Sequence, residues 1–485
     1  TTLHLARAMS TSLTLPGPPL CYVPTNGNAG KGNGDEKLMQ MASFSLPSLT
    51  EKLSLAEKRR DVVFKSSKLI DRQLVKCRAA LDIRGADGGD DEFQALNDVI
   101  KGTFEDLNKA GSTSDSFNQE SNAPREGNLG NKMDDAVRAL AYRYFLKTGK
   151  LVKLSDVNAM LDSASTGLSF RDEEYLGGVI SFAQDLSRYA IGRATLRDEQ
   201  SVLIARDLVS ELMACLLKFD FRNGSIRRKF DGIKYALKRL ENILYELSVT
   251  SDNAGDDGPK SKRAKIEEEK TERVDVAEID EVRARMEARD ELREKVIKRT
   301  RDSQKSAKQA IFALHRGDQA RADKLILESE EIAAELLPII EKEPQLRYGS
   351  FANSLEEYAE AKLFKLWLTE QRLGTPDDMP ICNEEEFLGG LCDLTGEVGR
   401  NAVAKGTSRD VTAVQFAMVT NMTVMNLLEG LALPYNLGKK LGPLNQSVKK
   451  LEQMLYELSL TQGGRTAPSG GMVEDEEPTT KEVNE

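Results

Sequence analysis

Four carboxylates stand where two helices could bring them together. Glu357 and Glu360 are three residues apart, and Asp393 and Glu397 are four apart. Both spacings put the two side chains of a pair on one helical face. The second pair sits among Leu388, Leu391, Leu394 and Val398, on a stretch otherwise apolar or small. Two such helices packed face to face would gather four acids. Magnesium takes oxygen ligands in an octahedron and keeps several waters, and manganese accepts the same donors. Spacing alone is a weak signal, because a chain with 78 acids offers same-face pairs by chance. The other residues narrow the chemistry. The only histidines are His4 and His315, so His-based triads and His-rich metal sites are nearly excluded. The five cysteines, Cys21, Cys77, Cys215, Cys382 and Cys392, form no CxxC pair and are odd in number. That argues against a disulfide framework or zinc site and for a reducing compartment. Hydrolysis would have to rest on carboxylates, hydroxyls or lysines.

Helices must position such residues, and the composition suits them. Pro numbers 15 and aromatics are 6% of 485 residues, while Leu, Ala, Glu and Lys are abundant. Over 278–316 the apolar residues Val282, Met286, Leu292, Val296 and Ile297 recur at helical spacing in a highly charged run. Further helices are predicted over 318–342, 350–373, 384–405, 408–430 and 435–461, with Pro376, Pro380 and Pro434 in the gaps. No run alternates apolar and polar residues long enough for a strand.

The same plan occurs twice. YRYFLKTGKL at 142–151 answers FKLWLTEQRL at 364–373, EEYLGGV at 173–179 answers EEFLGGL at 385–391, and LENILYELSVT at 240–250 answers LEQMLYELSLT at 451–461. The offset is 222, then 212, then 211, so the first copy carries about ten extra residues after Leu151. Collinear matches of this kind identify a duplication. The Gly177–Gly178 and Gly389–Gly390 pairs cost about 1 kcal/mol per Gly inside a helix, so their recurrence predicts a close helix–helix approach. Through these offsets Glu357 aligns with Asp135, Glu360 with Arg138, Asp393 with Ser181 and Glu397 with Asp185. The first copy lacks two of the four acids and carries a cation. Only the second is built to hold a metal.

Residues 1–50, rich in Ser, Thr, Gly, Pro and Asn, read as a disordered leader, with an organelle address as a minor alternative. Residues 51–250 form a first helical domain, 251–277 a charged flexible linker, 278–462 a second helical domain and 463–485 a disordered tail. Within the linker, Lys260, Lys262, Arg263 and Lys265 fit a nuclear-import signal, and equally a solvated charge run. No stretch of 18 apolar residues occurs, so no membrane span is expected.

Longer motifs carry a family resemblance. RNGSIRRKFDGIKYALKRLENILYELSV (222–249) and EEYLGGVISFAQDLSRYAIGRAT (173–195) resemble the C-terminal part of translin. ARDELREKVIKRTRDSQKSAKQAIFALHR (288–316), LEEYAEAKLFKLWL (355–368), LGGLCDLTGEVGR (388–400) and LPYNLGKKL (433–441) resemble translin-associated factor X. The chain is thus identified as a member of the translin family, with a translin-like first half and a second half like its partner. The resemblance implies an all-α fold of two tandem translin-type bundles, about six to seven helices each, joined by the disordered linker. It implies single-stranded RNA and DNA binding, and self-association into an octamer-like shell of eight lobes. It also implies a magnesium- or manganese-dependent endoribonuclease in cytoplasm and nucleus, processing RNA-silencing passenger strands or transfer-RNA fragments. The family's catalytic, metal-holding acids match Glu357, Glu360, Asp393 and Glu397, so the first half would bind and the second cut. The alternative is a non-catalytic single-stranded DNA/RNA-binding scaffold of the same fold, which would have no reason to keep all four acids. Two subunit types on one polypeptide depart from the family's separate chains and would fix their ratio at one to one.

With 68 basic and 78 acidic residues the net charge is −10, so nucleic-acid binding needs basic residues gathered on one face. Arg227, Arg228 and Lys229, with Lys234, Lys238 and Arg239, are candidates, as are Lys439, Lys440, Lys449 and Lys450 in the second copy. Their phosphate contacts would be salt-sensitive. The plainer reading is a helix surface paired with Glu241 or Glu452. Tyr142, Tyr144, Phe145 and Trp367 could stack on bases, but their helical spacing assigns them to the core. Phe230, Ile233, Leu237, Leu240, Leu244 and Leu247 lie near heptad spacing, which suits an oligomer seam or intramolecular packing equally.

Overall fold

The computed structural model describes residues 33–85, 88–110, 125, 127–160, 168–222, 224–252 and 272–463. Every regular element among them is helical, so the fold class is all-α as expected. The helices are α1 (Asn33–Ala42), α2 (Pro47–Arg84), α3 (Asp90–Ala110), α4 (Leu129–Thr148), α5 (Leu154–Met160), α6 (Asp172–Thr195), α7 (Glu199–Leu216) and α8 (Ser225–Asp252). They continue as α9 (Val276–His315), α10 (Gln319–Lys342), α11 (Ser350–Glu370), α12 (Glu384–Thr407), α13 (Val411–Glu429), α14 (Tyr435–Gly438) and α15 (Leu441–Gly463). Among the described residues, seven α-helices fall in 47–252 and seven in 276–463.

Part of the expected leader is ordered. Helix α1 lies inside residues 1–50, and α2 starts at Pro47, whose missing N–H costs nothing in a first turn. Met41, Leu46 and Leu49 are buried, and these apolar anchors were diluted by the polar composition around them. Within the expected linker 251–277, both ends are helical, at 251–252 and 276–277. Lys260, Lys262, Arg263 and Lys265, and all but the first residue of the tail 463–485, lie outside the described residues.

The chain divides into two compact units. One comprises Pro47–Ala307 and Leu327–Leu355, the other Thr1–Leu46, Lys308–Ile326 and Glu356–Glu485. Residues 276–307 and 327–355, which the repeat assigns to the second copy, thus fall in the unit of the first. The reason is visible on α9. Ile279 and Val282 join the core of that unit, and Arg285 and Arg289 bind Asp172 and Glu173 at the start of α6.

In the first unit, α6 packs between α4 and α8. A Cβ on Gly178 would stand 2.6 Å from Val137 Cβ and 2.7 Å from the Asp134 carbonyl oxygen, so only glycine permits this approach. Ile233, Leu240 and Leu247 of α8 are buried in the same core, which gives that apolar stripe an intramolecular use. In the second unit, a Cβ on Gly390 of α12 would stand 2.6 Å from Ala359 Cβ and 2.8 Å from the Glu360 nitrogen of α11. Helix α12 starts with a capping box. Asn383 accepts from the Glu386 N–H at 2.9 Å, and the Glu386 carboxylate accepts from the Asn383 N–H at 2.8 Å. Helix α13 is long and apolar enough to cross a membrane, with mean hydropathy 1.3. It packs against α12 and α15, and its Asn421 donates inward to the Thr395 carbonyl at 3.1 Å.

Candidate functional site

Helices α11 and α12, held together at Gly389–Gly390, bring the four predicted carboxylates into one electrostatic neighbourhood. Glu360 lies at its centre. Burial pushes its carboxyl up to about 8, and the negative charges of Asp393, Glu357 and Glu397 push in the same direction. Among the described residues Glu360 has no ion-pair or hydrogen-bond partner. The other three do. Glu357 pairs with Lys308 of α9 at 2.9 Å. Asp393 accepts from Lys440 Nζ at 2.7 Å, and the same ammonium reaches Glu356 at 2.9 Å and the Gly389 carbonyl at 3.3 Å. Burial pulls the Lys440 pKa down, but the bonds to Asp393 and Glu356 outweigh it and raise the net value. Glu397 is hydrogen-bonded to His315 Nε2 and lies 3.0 Å from Arg400.

The first copy repeats half of this arrangement. Lys229 Nζ donates to Asp134 at 2.6 Å and to the Gly177 carbonyl at 3.3 Å, the counterpart of Lys440 with Glu356 and Gly389. At the Glu360 position stands Arg138, which donates twice to Asp185, both bonds at 2.6 Å. The Asp185 bonds raise the Arg138 pKa against the burial that opposes them. Ser181, opposite Asp393, only donates to its own helix at the Gly177 carbonyl. A protein cation therefore sits in the first copy where the second has an extra carboxyl.

The profile of the Translin family matches the chain twice, at residues 58–251 and 291–462. The chain belongs to the translin family. Translin of Homo sapiens is 30% identical over 116 residues, 23% of this chain and 51% of that protein. The translin-associated protein X homolog of Schizosaccharomyces pombe is 27% identical over 192 residues, 36% of this chain and 83% of that protein. The chain spans about half the length of the curated translins it matches. The solved structure described as "Crystal structure of apo-NeC3PO" is similar over 37% of this chain and 96% of its own, with 20% identity and a TM-score of 0.35.

Not every residue singled out in the two translin repeats belongs to the site or to a basic surface. Lys229 and Lys440 were grouped with a basic face, but both are half-buried and bind acids of another helix, not Glu241 or Glu452. Arg227 pairs with Asp231 at 3.5 Å. Arg228 and Lys439 remain exposed, Lys439 lying over the Tyr435 ring. Tyr142, Phe145 and Trp367 are buried, and Trp367 Nε1 donates to Thr420 at 2.9 Å, so none of the three is a stacking platform. Sequence spacing missed Glu356, Lys308 and His315. The last stands alone beside the acids, its ring 4.8 Å from that of Phe364, so it makes neither a triad nor a His-rich metal site. Lys308 and His315 are seven apart on α9, a same-face interval that could have flagged them together.

The donor set fits a hard divalent cation in kind. It offers only carboxylate oxygens around an unbalanced Glu360, and a cation there would answer the charge that Arg138 answers in the first repeat. Among the described residues no three His, Cys, Asp or Glu side chains are yet gathered closely enough to share an ion. Three of the acids are turned to Lys308, Lys440, His315 and Arg400 instead.

Proposed function

We propose that the second translin repeat is a metal-dependent endoribonuclease site for single-stranded RNA, and that the first repeat is its non-catalytic binding partner. One observation carries this reading. Glu360 is enclosed by three acids and lacks the guanidinium that Arg138 supplies at the same place in the first repeat. Glu357, Glu360, Asp393 and Glu397 would hold magnesium or manganese. A divalent cation bound there supplies Lewis-acid polarisation of a scissile phosphate and lowers the pKa of nearby water. The chain's own groups do the positioning. Lys440 fixes Asp393 and is itself anchored by Glu356 and the Gly389 carbonyl. His315 and Arg400 orient Glu397. Lys308, whose side chain is 64% exposed, offers its ammonium to a phosphodiester oxygen when Glu357 turns inward. Glu360 holds a proton near neutral pH while the site is without a cation.

A non-catalytic scaffold for single-stranded RNA or DNA is the second reading. The observation that favours it is the engagement of three acids by basic side chains, with no three ligands gathered. The test is to incubate the full chain with labelled single-stranded RNA, with and without magnesium, beside Asp393→Ala. Cleavage that needs magnesium and is lost in the variant is expected. Binding without cleavage would leave the scaffold, and metal-dependent cleavage untouched by Asp393→Ala would move the site elsewhere. The same reading includes assembly into a closed octamer-like shell, checked by light scattering, and residence in cytoplasm and nucleus, checked by imaging.

A further inference from the structure

The long helices that open the two repeats, α2 and α9, end alike. IRG at 83–85 answers HRG at 315–317, and in both the glycine takes a positive φ, 65° and 75°. The residue before the arginine then goes opposite ways. His315 turns inward, its imidazole against the Phe364 ring and bonded to Glu397, with 17% of the side chain exposed. Ile83 turns outward and is 83% exposed. Where the imidazole fits in the second repeat, the first has a cavity of about 590 Å³. Its wall includes Tyr142, the counterpart of Phe364, and Arg188, the counterpart of the Arg400 that lies beside Glu397. The carboxylate matching Glu397 is Asp185, and Arg138 already holds it.

The cavity suits an uncharged guest. At its exposed rim Arg188 lies 3.6 Å from Asp82, and Arg193 donates to Asp198 at 2.9 Å, so each guanidinium has an acid. Leu81, Leu146 and Leu196 supply apolar wall. Tyr189 is set by edge-on contacts with the Tyr142 ring at 6.5 Å and the Phe145 ring at 5.4 Å. Tyr142 is 8% exposed, yet among the described residues its hydroxyl has no hydrogen-bond partner, which a buried phenol usually finds. Burial, and after it the charge of Asp82, push its pKa up to about 12, so it remains a donor. We propose that this cavity takes a nucleobase, a flat, uncharged nitrogen heterocycle that occupies in the first repeat the place His315 occupies in the second. The Tyr142 hydroxyl and the Arg188–Asp82 pair would meet its polar edge. The volume lies in the range of small-ligand pockets, which combine apolar walls with a few placed polar groups. The base can belong to an unpaired strand or to a free nucleoside. The strand source rests on the single-strand binding proposed above for the first repeat, and the nucleoside source does not.

The test is a fluorescence titration of the full chain, in EDTA so that no strand is cut. The probes are 2-aminopurine riboside and a single-stranded RNA decamer carrying one 2-aminopurine. Saturable quenching of both is expected. Gly192 lines the cavity, and a Cβ there meets nothing within 4 Å. Gly192→Leu therefore fills the space without a clash and should weaken binding about tenfold or more, with Tm unchanged or raised. Tyr142→Phe should weaken it about fivefold at unchanged Tm, because the hydroxyl it loses has no internal partner. Quenching of the riboside alone would keep the site and count against single-strand binding, and quenching of the decamer alone would assign the site to strands. A decamer that binds by anisotropy equally well to the Gly192→Leu chain, with no quenching of the riboside, would leave strand binding standing and overturn this site. No saturable quenching of either probe, titrations indifferent to both variants, or a Tm several degrees lower in ligand-free Tyr142→Phe would each overturn it as well.

Discussion

Arg138 and Glu360 occupy one place in two copies of a single scaffold. Around them the copies agree. In each, a lysine from the C-terminal part of the repeat binds an acid on one helix and a glycine carbonyl on the next, through Lys229, Asp134 and Gly177 or Lys440, Glu356 and Gly389. In each, a Gly–Gly pair lets the two helices meet backbone to side chain. The clasp and the glycines therefore belong to the fold. What differs is the sign of the charge they enclose. The first copy closes this place with a two-bond Arg–Asp pair, and the second leaves Glu360 there without a basic partner among the described residues. The charge at this place thus changed without disturbing the helices that frame it.

The largest effect should come from separating the copies by activity. Glu360→Gln is expected to lower magnesium-dependent RNA cleavage about a thousandfold, or about 4 kcal/mol of barrier. Ser181→Ala, at the counterpart of Asp393, should leave it within about twofold, and equal losses would erase the distinction between the repeats. Next in size, Arg138→Leu should destabilise the chain by about 3 kcal/mol, because it strands Asp185, whose side chain is 12% exposed. Glu360→Leu should cause no comparable drop in thermal melting. Gly178→Ala and Gly390→Ala should each cost about 1–3 kcal/mol, since in both the new methyl group meets backbone of the facing helix. A loss confined to one copy would show that the close approach is not shared.

The remaining effect is a pH dependence. The folded-state pKa of Glu360, about 8, lies above its ordinary value near 4.5, so between these limits the folded chain keeps a proton the unfolded chain has shed. Stability should therefore fall as pH rises from about 4.5 to about 8 and level off outside that window. Arg138 keeps its charge throughout and adds no slope. Melting at pH 5, 6, 7 and 8 should show a Tm decline of a few degrees, which Glu360→Gln flattens. A slope unchanged in that variant would mean another group is responsible.

Much of this is legible in the sequence. The repeat offsets aligned Glu360 with Arg138, the paired glycines announced a close crossing, and the prolines 376, 380 and 434 marked the helix gaps. These signals are local or periodic. The pairings that hold the site are neither. Lys440 finds Glu356 across 84 residues and His315 finds Glu397 across 82, distances over which spacing carries no information. For the same reason Lys229 and Lys440 resemble their exposed neighbours in the basic runs. The division into compact units was hidden similarly, because Arg285 and Arg289 meet their acids more than a hundred residues upstream.

The Lys440 ammonium has three oxygens to satisfy it, from Glu356, Asp393 and the Gly389 carbonyl, and it stands one residue before the final helix. The entry of that helix is thus moored to the two helices bearing the acids. If Asp393 swung toward an added cation it would slacken one of the three moorings, and amide exchange at the N-terminal turn of α15 would then be a remote gauge of whether the acids are occupied.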